Sequence, residues 1–111
     1  SGCRFDDEYL QYEYIIKGYE IPIYFASVLF NDQKLLRKVK KARLNYALNF
    51  WFYKKNLQKI ENEYHRLGLK EGVSSYRYNI YKYVINHRYI HKVFKILLDK
   101  WKEFRIKYIR L

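Results

Sequence analysis

Two apolar ladders, each stepping alternately by three and four residues, set the terms for this chain. The first passes through Leu36, Val39, Arg43, Tyr46, Phe50, Tyr53, Leu57, Ile60, Tyr64 and Leu67. The second passes through Ile80, Tyr83, His87, Ile90, Phe94, Leu97, Trp101, Phe104, Tyr108 and Leu111. Steps of this kind keep one stripe of a helix turned toward a partner, as in a coiled-coil seam. Between the ladders, residues 68–75 (GLKEGVSS) gather two of the four Gly and two of the four Ser. The pattern predicts an all-α fold: a long antiparallel hairpin of helices 32–67 and 75–111, with two short leader helices from residues 1–31 packed on it.

Details of the hairpin follow from the same spacing. Asp32 suits the N-cap of the first long helix, and no Pro or Gly interrupts the run from there to Leu67. At 1.5 Å per residue that run is about 50 Å long. Gly68 stands where a left-handed C-terminal residue is wanted, with Arg66 complementing the dipole in the last turn. Ser74 or Ser75 can cap the second long helix. A turn centred near residue 71 pairs Ile60 with Tyr81, Leu57 with Val84, Tyr53 with His87, Phe50 with His91 and Val39 with Trp101. Leu44, Leu48, Trp51 and Phe52, together with Val84, His91, Leu98 and Ile109, widen the apolar stripe beyond a two-helix seam. The leader helices should cover part of that excess, and dimerisation into a bundle could cover the rest.

In the leader, residues 6–17 read as a short helix capped by Asp6 or Asp7 and ended by Gly18, with a strand over Tyr12–Ile16 as the alternative. Pro22 suits the first turn of a second helix reaching about Phe30. That segment is apolar almost all round and should be buried, against the hairpin or another subunit.

At 111 residues the chain is one domain, and 50% hydrophobic content with 31% charged residues excludes disorder. The single Cys allows no internal disulfide and favours a reducing, intracellular setting. The mainly apolar run Ile21–Phe30 is too short to span a bilayer. The chain holds no Met, so its natural start is expected upstream and Ser1–Gly2 to be a cloning remnant.

The charge is concentrated. Residues 1–33 hold two basic and six acidic side chains, a balance of −4, whereas residues 34–111 hold 21 and five, a balance of +16. A surface charged this way attracts nucleic acid or another acidic partner. On a helix Lys34, Arg37, Lys38 and Lys41 share a face, Lys55 and Lys59 extend the basic surface toward the turn, and Arg88, Lys92, Lys95 and Lys102 recur along the last helix. Such rows track phosphates through counterion release without reading bases. Tyr78, Tyr81 and Tyr89 fall off the ladder, where they either stack on unpaired bases or pack within the fold.

Other chemistry is poorly supplied. There is no Thr, no Gly-rich phosphate loop, and no nucleophile with a recognisable base, so no enzymatic activity and no cofactor are expected. His87 and His91 lie one helical turn apart, but two ligands are too few for a structural zinc site and His65 should be remote. A half-buried His87 bonded to Tyr53 is the favoured reading, with a metal shared between subunits as the alternative.

From about Glu63 to Phe104 the chain resembles the PHIST helical domain of malaria-parasite exported proteins. The likeness rests on Tyr64, the turn at Gly72, the aromatic-rich start of the last helix, and Trp101 with Lys102 and Glu103. It implies an adaptor of cytoskeletal or membrane proteins. The charge instead favours a nucleic-acid-binding module of a viral, phage or mobile-element assembly. The aromatic faces keep a self-assembling adaptor as the alternative.

Overall fold

The protein is described by a computed structural model covering residues 3–109, with side chains for 7–87, 90 and 92–103. All elements are helical, and no strand occurs among the described residues. Helix α1 spans Cys3–Gly18 and α2 spans Glu20–Tyr24, continued by a π turn over Phe25–Leu29. Helix α3 runs Gln33–Tyr53 and α4 runs Leu57–Glu63, the latter passing into a π turn (Tyr64–Gly68) and a 3-10 turn (Leu69–Glu71). Helices α5 (Tyr76–Ile85) and α6 (Arg88–Ile109) complete the chain.

Neither long helix of the expected hairpin is continuous. The first breaks at 54–56, where Lys55 takes a left-handed conformation (φ 56°). There the Lys55 N–H donates to the Phe52 carbonyl and the Asn56 N–H to the Trp51 carbonyl, closing α3 as a Gly would. The Asn56 side chain then accepts from the Lys59 N–H, 3.1 Å away, and starts α4. The second long helix breaks at 86–87, after the Asn86 amide turns back onto the Lys82 carbonyl.

The chain therefore doubles back three times around α3. Gly68 and Glu71 come beside Leu44 and Arg43, so α4 and its turns run antiparallel to α3. Ser75 reaches Asn45 and Tyr81 stacks on Phe52, so α5 runs with α3. Along α4 and α5, Glu61 pairs with Lys82 and Tyr64 stacks face to face on Tyr78, 3.9 Å between centroids. Helix α6 reverses again, Phe94 meeting Phe52 and Asp99 meeting Tyr53. Extents of 45 × 37 × 32 Å replace the expected rod.

The ladder residues Ile60 and Leu67 are in the core, but on α3, α5 and α6 the core lies to one side of the ladders. On α3 it takes Leu44, Ala47, Leu48, Trp51 and Phe52, all at most 3% exposed, while Tyr46, Phe50 and Tyr53 stay half-buried on the flank. On α5 and α6, Tyr81, Val84 and Leu98 face inward, and Ile80, Tyr83, Ile90, Leu97 and Trp101 face out. The sides are set by three neighbours: α1, α4 and α5 all pack on α3, and a single coiled-coil seam cannot serve three partners at once.

Residues Cys3–Gly18 form a helix, so the strand over Tyr12–Ile16 is excluded. Helix α1 begins at Cys3, which puts Asp6 and Asp7 inside it rather than at a cap. It lies antiparallel to α3, with Tyr12 and Ile16 in the core and Glu8 paired with Lys54. Within the chain itself, the segment expected to be buried against the hairpin or another subunit is left largely open. From Glu20 to Leu29 only Ala26 is fully enclosed, and Ile21, Tyr24, Phe25, Val28, Leu29 and Phe30 are 42–66% exposed. A short helix that is apolar all round presents only one face to α3.

Two caps lie where the sequence puts them. Asp32 Oδ1 accepts from the Lys34 and Leu35 N–H groups at 3.0 and 3.1 Å, and Ser75 Oγ accepts from the Arg77 N–H. The left-handed glycine, however, is Gly72 (φ 72°) and not Gly68. Gly68 serves close approach, since a Cβ there would stand 3.1 Å from Leu44 Cδ2 and 3.3 Å from the Val73 carbonyl.

Candidate nucleic-acid interface

The basic residues singled out in the sequence fall into three groups. Lys34, Arg37, Lys38 and Lys41 are exposed along the first half of α3, and none has an ion-pair partner among the described residues. Spacings of three and four place them on one face of that helix. They continue, one to two turns toward the N-terminus, the side of α3 that farther along carries the buried Leu44 and Leu48.

Lys55, just past the end of α3, and Lys59, on α4, lie roughly 20–25 Å from the row at 1.5 Å per residue. Lys59 Nζ lies over the Trp51 ring at 5.5 Å from its centroid. Lys92, Lys95 and Lys102 are exposed on α6, whereas the Arg88 side chain lies outside the described residues. Lys95 Nζ stands 5.0 Å from the Tyr53 ring centroid. The ten residues do not form one stripe, because the breaks at 54–56 and 86–87 turn α4 and α6 away from the lines they were expected to continue.

Two cations next to the α3 row behave differently. Lys40 Nζ is 3.1 Å from Glu71 Oε2, and Arg43 Nη2 is 3.2 Å from Glu71 Oε1. The Lys40 bond, reinforced by the charges of Lys40 and Arg43, holds the Glu71 carboxyl below the usual carboxylate range despite its partial burial. Arg43 is 8% exposed, and its contact with Glu71 is an ion pair without hydrogen-bond geometry, so Nε and Nη2 donate no hydrogen bond. Its place in the first ladder signalled burial, but not a salt bridge to the turn.

A second surface was missed in the sequence. Between α3, α5 and α6 lies a cleft of about 270 Å³ walled by Tyr46, Phe50, Tyr53 and Trp101, with Arg77 and Lys102 at its edges. Arg77 Nη1 donates to Asn49 Oδ1 at 3.2 Å, and the Tyr81 hydroxyl donates to the same oxygen. The Tyr53 hydroxyl donates to Asp99 Oδ1 at 3.1 Å, and its pKa is pushed up to about 12, first by burial and then by this bond and the Asp99 charge. Burial likewise raises Tyr81 and Tyr46. All these hydroxyls are therefore neutral near pH 7. The only sequence signal was Arg77 one turn before Tyr81, which on its own marks no site.

The expected bond between Tyr53 and His87 is replaced. Tyr53 goes to Asp99, while His87 Nδ1 lies 2.9 Å from the Tyr83 carbonyl and its ring stacks on Tyr83. His91 falls outside the described side chains, and among the described residues no cluster of three or more His, Cys, Asp or Glu could hold a metal. Tyr81 and Tyr78, considered for stacking on bases, instead pack within the fold on Phe52 and Tyr64, and the Tyr89 side chain lies outside the described residues. No described helix is long and apolar enough to cross a membrane.

No family model, no curated protein and no solved structure matches this chain. The likeness to the PHIST domain thus stays with the residues that suggested it.

Proposed function

We propose that this chain is a non-enzymatic basic binding module that holds nucleic acid through its phosphates, without reading sequence. One observation carries the reading: Lys34, Arg37, Lys38 and Lys41 stand exposed on one helix face, with no ion-pair partner among the described residues. Four cations on one face can displace the counterions of about four phosphates, which gives a salt slope near −3.6 in log–log form on duplex DNA. Fluorescence anisotropy with a labelled 20-mer at two salt concentrations tests this. Lys38→Glu with Lys41→Glu should weaken binding at least about tenfold and flatten the slope by about two. Unchanged affinity in that variant, or no binding at low salt, ends the proposal.

A second reading, an adaptor that self-associates or binds a protein, has its own support. Ile21, Tyr24, Val28 and Phe30 are exposed on the leader, and Ile90, Val93, Leu97 and Trp101 on α6. Apolar patches of this kind mark contact surfaces. Pairing of two chains through them is the dimer this reading requires. Sedimentation that finds only monomer at high concentration counts against it.

A further inference from the structure

The geometry points to the cleft between α3, α5 and α6 as a stacking site for one unpaired nucleobase of a single strand, with Arg77 and Lys102 on the adjoining phosphates. This rests on the polyanion reading and adds to it which form of nucleic acid is held, and where.

The walls decide the shape of the ligand. Tyr46, Phe50 and Tyr53 come from successive turns of α3, and Trp101 stands across from them on α6. Aromatic walls favour a flat ring, and every nucleobase has a π face to offer. A cleft of about 270 Å³ admits one such ring with its sugar but not a duplex, whose bases are already stacked.

The polar groups decide the chemistry. Asn49 receives two donors, Arg77 and Tyr81, on one side-chain atom, which identifies that atom as the oxygen. Among the described residues its amide nitrogen has no hydrogen-bond acceptor. Lys102 is a further donor at the rim, and Arg77 keeps donors beyond the one given to Asn49. The cleft thus offers chiefly N–H groups and positive charge. Its ligand should be rich in acceptors and anionic, which suits the carbonyls of a pyrimidine and the phosphates on either side.

The two tryptophans make this testable. Trp51 is 3% exposed and Trp101 is 59% exposed, so a stacked base can quench only Trp101. The experiment compares a thymidine 15-mer with an abasic 15-mer carrying the same phosphates, by anisotropy and by tryptophan emission. The thymidine strand should bind roughly 5- to 150-fold more tightly, the range one stacked base supplies, and should quench emission. Trp101→Ala should remove the preference and leave abasic affinity in place, while Trp101→Phe restores part of it. Equal affinity for the two strands overturns the stacking site and leaves phosphate binding standing. A preference that survives Trp101→Ala overturns its assignment to this cleft. Failure of both strands to bind overturns the polyanion reading itself. Quenching by an acidic, Tyr-bearing peptide but not by thymidine assigns the cleft to a protein partner and sinks the inference. The quenching is read on the unaltered chain, so it stands even where a variant folds poorly.

Discussion

Replacing Tyr12 with Phe removes one oxygen atom from the most enclosed polar chain in the molecule. Tyr12 is 1% exposed, and its hydroxyl accepts from Trp51 Nε1 at 3.1 Å and donates to Glu63 Oε2 at 2.8 Å. Glu63 is also held by Arg66, at 2.6 and 3.1 Å. This chain of bonds joins α1, α3 and the end of α4. The phenyl ring of the variant keeps its stack on Phe50 (4.4 Å between centroids), so packing is nearly conserved. What is lost is a hydrogen bond to a carboxylate, worth about 1.5–3 kcal/mol, and the partner of a buried indole N–H, whose orphaning costs about 1–3 kcal/mol. Trp51 is 3% exposed, so water has little access to the orphaned donor. Since the two losses share one atom they do not add fully, and a total of about 2–4 kcal/mol is expected. With an unfolding entropy near 2.1 cal/mol/K per residue over 111 residues, Tm should fall by roughly 9–17 °C. Urea unfolding followed by circular dichroism measures the loss directly. A double-mutant cycle with Glu63→Gln should return a coupling of about 1 kcal/mol or more. A Tyr12→Phe variant within about 0.5 kcal/mol of the parent would refute the reasoning, because a surface hydroxyl could be lost that cheaply.

Alkali should unfold the chain. Tyr12 is raised most, by burial and then by the Glu63 charge, and Tyr53 is raised to about 12. Each folded-state pKa lies above the unfolded value near 10, so this stability is complete below pH 10 and is lost as pH rises past it. Phenolate absorbance should show Tyr12, Tyr46, Tyr53 and Tyr81 ionising above the ordinary tyrosine value near 10, and ionisation of these four at that value would contradict the burial described. At the left-handed positions the signs are opposite: Lys55→Gly should stabilise by about 0.5–1 kcal/mol, and Gly72→Ala should cost about 1 kcal/mol, both by chemical denaturation. Removing the α4 cap with Asn56→Ala should cost about 1 kcal/mol, and a null effect would mean that this residue does not start the helix.

The helical class and two caps were legible because they are local. Asp32 and Ser75 cap with their own side chains, and no distant residue is needed to read them. The break at 54–56 was not legible, since a Lys holds the left-handed position that Gly usually marks, leaving Asn56 as the one signal. Assigning that role to Gly68 instead of Gly72 followed from its place at the end of the ladder. Its true constraint is a close approach to Leu44, 24 positions earlier, which no local pattern encodes. The ladders gave the period of burial correctly, and its phase correctly at Ile60 and Leu67 but not along α3 and α5. Off-ladder residues such as Leu48, Phe52 and Tyr81 became the core once three neighbours, not one, settled around α3. The cleft was hidden for the same reason: Asn49, Arg77 and Lys102 meet only after three reversals of the chain.

The exposed cations of α3 follow from where the carboxylates go. Of 11 acidic residues, Asp32 caps α3, Glu8 pairs with Lys54, Glu61 with Lys82, Glu63 with Arg66, and Glu71 with Lys40 and Arg43, while Asp99 receives Tyr53. Six acidic groups are thus committed to holding helices together, and each meets a partner on a neighbouring turn or element. None of these contacts reaches the side-chain charge of Lys34, Arg37, Lys38 or Lys41, the Asp32 cap meeting Lys34 only at its backbone N–H. A surface evolved only for solubility has no need to engage its acids elsewhere and leave one helix face with a single sign, because interspersed charges keep a protein dissolved as well. Holding four like charges on two turns carries a repulsive cost that a bound polyanion would relieve. If that is the reason for the arrangement, added polyphosphate should raise Tm of the parent chain more than that of the Lys38→Glu, Lys41→Glu variant. Equal shifts would return the row to the role of a solvated face.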